Sequence, residues 1–239
     1  MTTVNSFKKG LKDGIPICLG YFSVSFAFGI FTVECGFTIW QAVLISLFNL
    51  TSAGQLAGVP IMAGGGTLAE LALSQLVINS RYSLMSVSLA QKLSDKVGFI
   101  KKLLISYGNT DEIFAVSISQ KGEVGARYMV GLILLPVLGW TGGTLIGAVA
   151  GNVLPAMVTA ALGLAIYGMF IAIVVPVAKK EKSVAMCVLV AIALSCAFKY
   201  LPFLSKVPSG FTVVICAVIA SAIFAVISPI NTEEVPENG

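Results

Sequence analysis

The stretch Asn49-Leu50-Thr51-Ser52-Ala53-Gly54-Gln55-Leu56-Ala57-Gly58 decides how this chain folds. It lies within Cys35 to Ala69, a run without a single charged residue, so hydropathy places it at membrane depth. That run is too long for one straight span, which takes about 20 residues. The polar cluster, then Gly58, Pro60 and Gly64-Gly65-Gly66, also interrupt a helix from within. Lipid offers no hydrogen bonds, so backbone groups freed by a break must be satisfied by protein or water. A broken or re-entrant helix is predicted here.

The rest of the sequence agrees with a bilayer as solvent. Of 239 residues 57% are hydrophobic and 11% charged, with a mean hydropathy of +0.96. Soluble domains carry about 25% charged residues. The formal net charge is +4, but the lysines and arginines stand in ones and twos at the ends of apolar segments, a topology signal and no nucleic-acid patch. Histidine is absent and the five cysteines show no CxxC spacing, so no metal site, cofactor or disulfide framework is expected. The loops leave no room for a soluble domain, and no P-loop motif is present. There is no HExxH, no paired aspartates on separate spans and no histidine to activate a serine, which argues against an intramembrane enzyme.

The expected architecture is an all-α polytopic membrane protein with seven or eight hydrophobic segments, some of them broken or re-entrant. Residues 1–13 form a cytoplasmic N-terminal segment with Lys8, Lys9 and Lys12, residues 14–230 a single transmembrane transport domain, and residues 231–239 a disordered acidic tail. Within the domain, Gly14–Val33 is a first span, Leu71–Gln91 a further span with Arg81 at its centre, and Leu103–Gln120 another with Asp111 and Glu112 at its centre. Tyr128–Ala178 divides near Gly151 and Pro155 into two, and Ser183–Phe198 and Val207–Ile230 close the set. An internal, inverted repeat is a further expectation: an offset of about 115 residues lays Gly36 on Gly151 and Leu47 on Leu162. If every segment crosses, the loop holding Lys92, Lys96, Lys101 and Lys102 falls outside. If residues 38–66 enter and leave on one face, that loop becomes cytoplasmic and the positive-inside count improves.

Polar residues at membrane depth are costly unless used, and they mark the candidate substrate site. Asn49, Thr51, Ser52 and Gln55 belong to the break, where freed N–H groups suit a carboxylate. Asn79 and Arg81 follow on the next span; a guanidinium at that depth costs about 2.5–3.5 kcal/mol and must face protein or water. Asp111 and Glu112 offer compensating carboxylates. Adjacent helical positions point about 100° apart, so one of them pairs with Arg81 and the other is free for substrate or protons. A structural ion pair that fixes helix register is the competing reading of Arg81. Ala53 and Gly58 are read as packing residues, as are Tyr21, Ser23 and Ser25, and the Gly139-Trp140-Thr141-Gly142-Gly143 ridge with Gly147 as a helix contact. Trp140 is an interfacial anchor or a cavity wall.

Four elements carry a family resemblance: Gly14-Ile15-Pro16 to Phe28-Gly29, Thr51-Ser52-Ala53-Gly54-Gln55, Asn79-x-Arg81-Tyr82-x-Leu84-Met85, and Thr110-Asp111-Glu112-x-Phe114-Ala115. Together they resemble the AzlC-type branched-chain amino acid permeases (azaleucine resistance), over about Phe7 to Ile230. The resemblance implies a multi-pass protein of the bacterial cytoplasmic membrane that exports leucine, isoleucine, valine and analogues, working with a small AzlD-type membrane subunit. A non-transporting scaffold or gating subunit of a membrane complex is the alternative.

Overall fold

Ser6 caps the first helix, its hydroxyl accepting from the Lys9 N–H, and α1 then runs from Phe7 to Glu34. The helix thus begins ahead of Gly14, so the basic N-terminal residues belong to its first turns instead of to a separate segment. At 28 residues it reaches about 42 Å, which exceeds a hydrocarbon core of about 30 Å and leaves the Lys8–Asp13 end in the interfacial region. The computed structural model describes residues 3–151, 153–155, 157–158, 168, 171 and 174–228. The expected acidic tail at 231–239 lies outside the described residues, as does most of the second half of Tyr128–Ala178.

Helix α7 (Ala126–Gly151) lies along α1 and runs in the same direction. Two short strands preceding them, β1 (Thr3–Val4) and β2 (Glu123–Val124), pair in parallel, Thr3 opposite Glu123. From there the contact climbs in step: Gly14 at Leu132, Cys18 at Gly139, Phe22 at Gly143, Phe26 at Gly147, Ile30 at Gly151. Glycine is required at this seam. A Cβ on Gly14 would sit 2.8 Å from the Leu132 carbonyl oxygen, and one on Gly139 2.7 Å from that of Cys18. Close backbone approach replaces the hydrophobic drive that lipid removes.

Helix α4 (Leu68–Lys92) points the opposite way. Leu93, just past its end, bridges to Val124, and Lys92 Nζ donates to the Gln120 carbonyl at 2.6 Å, so α4 finishes at the end where α1 and α7 begin. This is the basic end of the bundle, and the opposite one is the far end.

Between these three helices the chain twice doubles back at half depth. From the far end, α2 (Ile39–Phe48) descends beside α7, where Ser46 meets Thr144 at 2.6 Å. The chain turns at Asn49-Leu50-Thr51, and α3 (Ser52–Ala63) climbs back antiparallel to α4, with Gly54 beside Gln75 and Asn79 and Gly58 beside Leu71. Gly36 (φ +88°) and Gly65 (φ +72°) make the turns that enter and leave this hairpin, a conformation side chains avoid.

The second hairpin corrects the sequence reading. Leu103–Gln120 is no single span: α5 (Phe99–Tyr107) rises from the basic end, stops at Gly108-Asn109-Thr110, and α6 (Asp111–Ile118) returns, so that Gln120 lies beside Lys9 and Lys92. Gly108 closes α5 against Ile133 of α7, too close for a Cβ. Thr110, Asp111 and Glu112 then suit a cap and first turn, where acidic residues complement the helix dipole. The Asn49–Thr51 break, by contrast, falls where the sequence placed it, with Gly54 and Gln55 already inside α3.

Helix α8 (Lys182–Tyr200), a 3-10 turn (Leu204–Lys206) and α9 (Ser209–Ile227) complete the fold. Gly210 N donates to Glu70 Oε1 at 2.6 Å at the far end, and Ser183 meets Ser228 at 2.8 Å at the other, so α8 and α9 form an antiparallel pair, of which α9 packs against α4. Among the described residues, α1, α7, α8 and α9 are long and apolar enough to cross a membrane. Helix α4 has the length but holds Asn79 and Arg81.

The α1–α7 seam predicts an asymmetry among α7 glycines. Gly147→Ala drives a methyl into the Phe26 carbonyl, whereas Gly142→Ala meets nothing within 4 Å. Thermal unfolding in detergent should show Gly147→Ala less stable by about 1–3 kcal/mol and Gly142→Ala unchanged; equal effects would rule out the seam.

Candidate functional site

The two hairpin tips meet at the middle of the bundle. Tyr107 at the end of α5 donates its hydroxyl to the Leu47 carbonyl near the end of α2, joining them directly. Where they meet, a cavity of about 750 Å3 opens between the tips, α4, α1 and α7. The first hairpin contributes Leu50, Ser52 and Ala53, the second Thr110, Asp111 and Glu112, and α4 contributes Arg81 and Tyr82. The remaining wall is apolar: Pro16, Ile17, Gly20 and Val24 of α1, with Tyr21 set against Trp140 of α7. The Tyr21 and Trp140 rings meet edge to face, centroids 5.1 Å apart.

Helices α3 and α6 both start at this cavity, so two helix N-termini with first-turn N–H groups free of intrahelical partners face one space. Their charge environments differ. The α6 terminus already holds Asp111 and Glu112. The first turn of α3 has no acidic residue, and Thr51 caps it by accepting from the Gly54 N–H at 3.1 Å. That leaves the positive end of α3 available to an outside anion.

Arg81 and Asp111 form an ion pair at 2.6 Å, with side chains 52% and 43% exposed, that is, facing the cavity. Glu112, one residue on and about 100° round the helix, does not share that partner. It accepts from the Tyr21 hydroxyl, which also lies 2.6 Å from Thr110 Oγ1. Asp111 therefore faces a full positive charge and Glu112 a neutral hydroxyl. Among the described residues no group of acidic and cysteine side chains is arranged to hold a metal ion.

Comparison with known proteins places this arrangement in a family. The family model described as AzlC protein matches residues 16–154, which is more than half of the chain. This chain belongs to the AzlC family. The matched segment starts at Pro16 on the cavity wall and ends just past α7, so it contains both hairpins, α4 and every described residue that lines the cavity. Relatives of the AzlC-family chain include the inner membrane protein YgaZ of Escherichia coli, 30% identical over 195 residues and 78% of each chain. An uncharacterized membrane protein of Archaeoglobus fulgidus is 32% identical over 71% of this chain and 75% of its own length. The branched-chain amino acid transport protein AzlC of Bacillus subtilis is 24% identical over 74% and 70% respectively. No solved structure matches.

Within this AzlC-family chain, the residues singled out from sequence divide into two groups. Ser52, Arg81, Asp111 and Glu112 line the cavity. Asn49, Thr51, Gln55 and Asn79 build it from behind. Thr51 donates to Asn79 Oδ1 at 2.8 Å, Asn79 donates to Gln75 at 3.1 Å, and Gln75 closes on the Gly54 carbonyl at 2.8 Å, pinning the first tip to α4. Asn49 reaches Gln75 at 3.5 Å on the side away from the cavity. Gln55, 1% exposed, donates to the Ile45 carbonyl and Ser46 Oγ, both at 3.3 Å, and holds α3 to α2. Ala53, read as a packing residue, lines the cavity, and Gly58 stands against Gln75 and Leu71 of α4. Tyr21, Tyr82 and Thr110 were not among the candidates. Tyr21 reads as a packing residue because its significance rests on a partner 91 positions away.

The cavity should be wet. In a background with the five native cysteines replaced, Ala53→Cys should react with a water-soluble thiosulfonate, while Val149→Cys on the exposed outer face of α7 should not. Equal labelling of both would mean that the cavity is not water-filled.

Proposed function

We propose that this chain is a secondary transporter that exports branched-chain amino acids (leucine, isoleucine, valine and analogues) across the bacterial cytoplasmic membrane together with a small AzlD-type membrane subunit. The observation that carries this reading is the pair of half-helix N-termini at one cavity, acidic at α6 and free of acid at α3. A zwitterion fits such a divided site. Its carboxylate would take the N–H groups and Ser52 hydroxyl at the start of α3, and its ammonium the Glu112 side, next to the Arg81–Asp111 pair. The apolar α1 wall would receive an aliphatic side chain. The substrate class is supported by the family and by the name of the Bacillus relative; export and the partner rest on the family resemblance. With no P-loop motif in the chain, the energy would come from an ion or substrate gradient.

In this reading the two hairpins are re-entrant, one from each side of the membrane, and hairpin plus following span is an inverted repeat. Ile39 and Phe99, Ser52 and Asp111, Leu68 and Ala126 begin corresponding helices about 60 residues apart, and α4 and α7 run in opposite directions. The offset is half that expected from sequence. The offset of about 115 lays α1 on α7, which run in parallel. Charge supports the orientation: all of the fifteen Lys and Arg residues except Arg81, Lys199 and Lys206 fall at the basic end, which makes it the cytoplasmic one.

The test is a panel of labelled amino acids in proteoliposomes containing the chain alone or with a small AzlD-type subunit, with and without an imposed proton gradient. Valine and leucine counterflow is expected; none in either preparation would favour a scaffold role instead. Asp111→Asn should lower efflux by about tenfold or more while leaving insertion intact, since it removes a negative charge beside the substrate's ammonium group, and a hydrogen bond to a charged group is worth about 1.5–3 kcal/mol. Wild-type rates from that variant would remove Asp111 from the mechanism.

A further inference from the structure

Helix α1 has four glycines, and three are explained by the seam. Gly10, Gly14 and Gly29 each meet α7 backbone so closely that a Cβ would collide. Gly20 does not. A Cβ there would have nothing within 4 Å, and the residue opens onto the central cavity. Glycine weakens a helix interior by its backbone entropy, so a packing reason is normally found for it, and among the described residues none is present.

What Gly20 does have is a place in a row. Pro16, Gly20 and Val24 are spaced by four residues and share one helical face towards the cavity, with Ile17 beside them. Each neighbour carries an apolar side chain and Gly20 carries none, so the wall has a notch one side chain deep. Its sides are hydrocarbon. Tyr21, the next residue, places its hydroxyl on Glu112, which puts the notch beside the charged part of the cavity.

We infer that the gap at Gly20 receives the substrate's aliphatic side chain and sets the upper size limit of the transported amino acid. This rests on the transport reading above: with the ammonium group at Glu112, the side chain of an α-amino acid is directed at the adjacent wall. Among the described residues the notch is flanked by Pro16, Ile17 and Val24, so a hydroxyl- or amide-bearing side chain would lose its hydrogen bonds on entering, and branched hydrocarbon would not. Filling the notch from the protein side should exclude the largest substrates first.

The experiment is counterflow of alanine, valine and leucine in proteoliposomes, holding whichever preparation supports wild-type transport, with Gly20→Ala, Gly20→Val and Gly20→Leu. The leucine-to-alanine ratio should fall stepwise along that series, by about tenfold or more at Gly20→Val, the discrimination that one or two methylenes provide in an apolar pocket. Gly142→Val, at a glycine equally free of neighbours but outside the cavity, should keep the wild-type ratio. Gly20→Ala adds a single methyl and keeps the question answerable should the larger variants fail to insert. A constant ratio across the Gly20 series, or equal loss for all three substrates, would overturn the inference. A wild type that moves none of the three would overturn the transport reading instead, so the two failures are distinguishable.

Discussion

A helix that stops at bilayer depth leaves backbone groups that lipid cannot satisfy, and among the described residues this happens at two hairpin tips. Everything near the centre follows from how those two breaks are sheltered. At the first, Thr51 caps α3, Asn79 holds Thr51, and Gln75 takes the Gly54 carbonyl. At the second, Tyr21 reaches Thr110 and Glu112, and Asn109 donates to Ser86 at 3.2 Å. The partners come from α4 and α1, so neither hairpin can form its tip alone. The glycine seam that binds α1 to α7 therefore matters beyond its own contact, because it fixes the wall from which Tyr21 holds the second tip.

The same breaks give the cavity its electrostatics. A continuous helix hides its N–H groups inside the ladder and presents only side chains, whereas two half-helices starting at one space present dipole ends as well. Asp111 and Glu112 offset one of those ends and leave the other open, which makes the space bipolar along the line joining the tips. Arg81 adds its charge on the acidic side, where Asp111 meets it. The bilayer cost of a guanidinium at mid-span is met by turning it towards Asp111 and the cavity.

Much of this was legible in the sequence, for identifiable reasons. Hydropathy and the polar interruption at Asn49–Gln55 located the first break, because glycines and hydrogen-bonding side chains in a charge-free run have few other uses. Arg81, Asp111 and Glu112 announced themselves by being charged among apolar neighbours. The second break was hidden: Leu103–Gln120 has the length of a span, and Gly108 is a single residue whose role depends on Ile133 of α7. Local pattern also could not separate the polar residues that face the cavity from those that brace it. Asn79 and Arg81 are two positions apart, yet the first turns to Thr51 and the second to Asp111, and helical phase alone does not say which side a neighbour will occupy. Tyr21 failed for the opposite reason, since an aromatic residue on an apolar helix is usually packing.

The Arg81–Asp111 pair separates a structural from a functional account of the site. If its task were to lock helix register, it should be shielded, where breaking a buried pair costs about 3–5 kcal/mol. It is instead about half exposed to the cavity, and solvent-screened pairs contribute about 0–1 kcal/mol. Register is set more firmly elsewhere, by the glycine seam and by the uncharged Thr51–Asn79–Gln75 contacts. A pair that stabilises so little and still imposes the insertion cost of a mid-span arginine is poorly explained by folding. In the proposed transport reading the pair has another use, because a charged solute entering the cavity would compete for the same two groups.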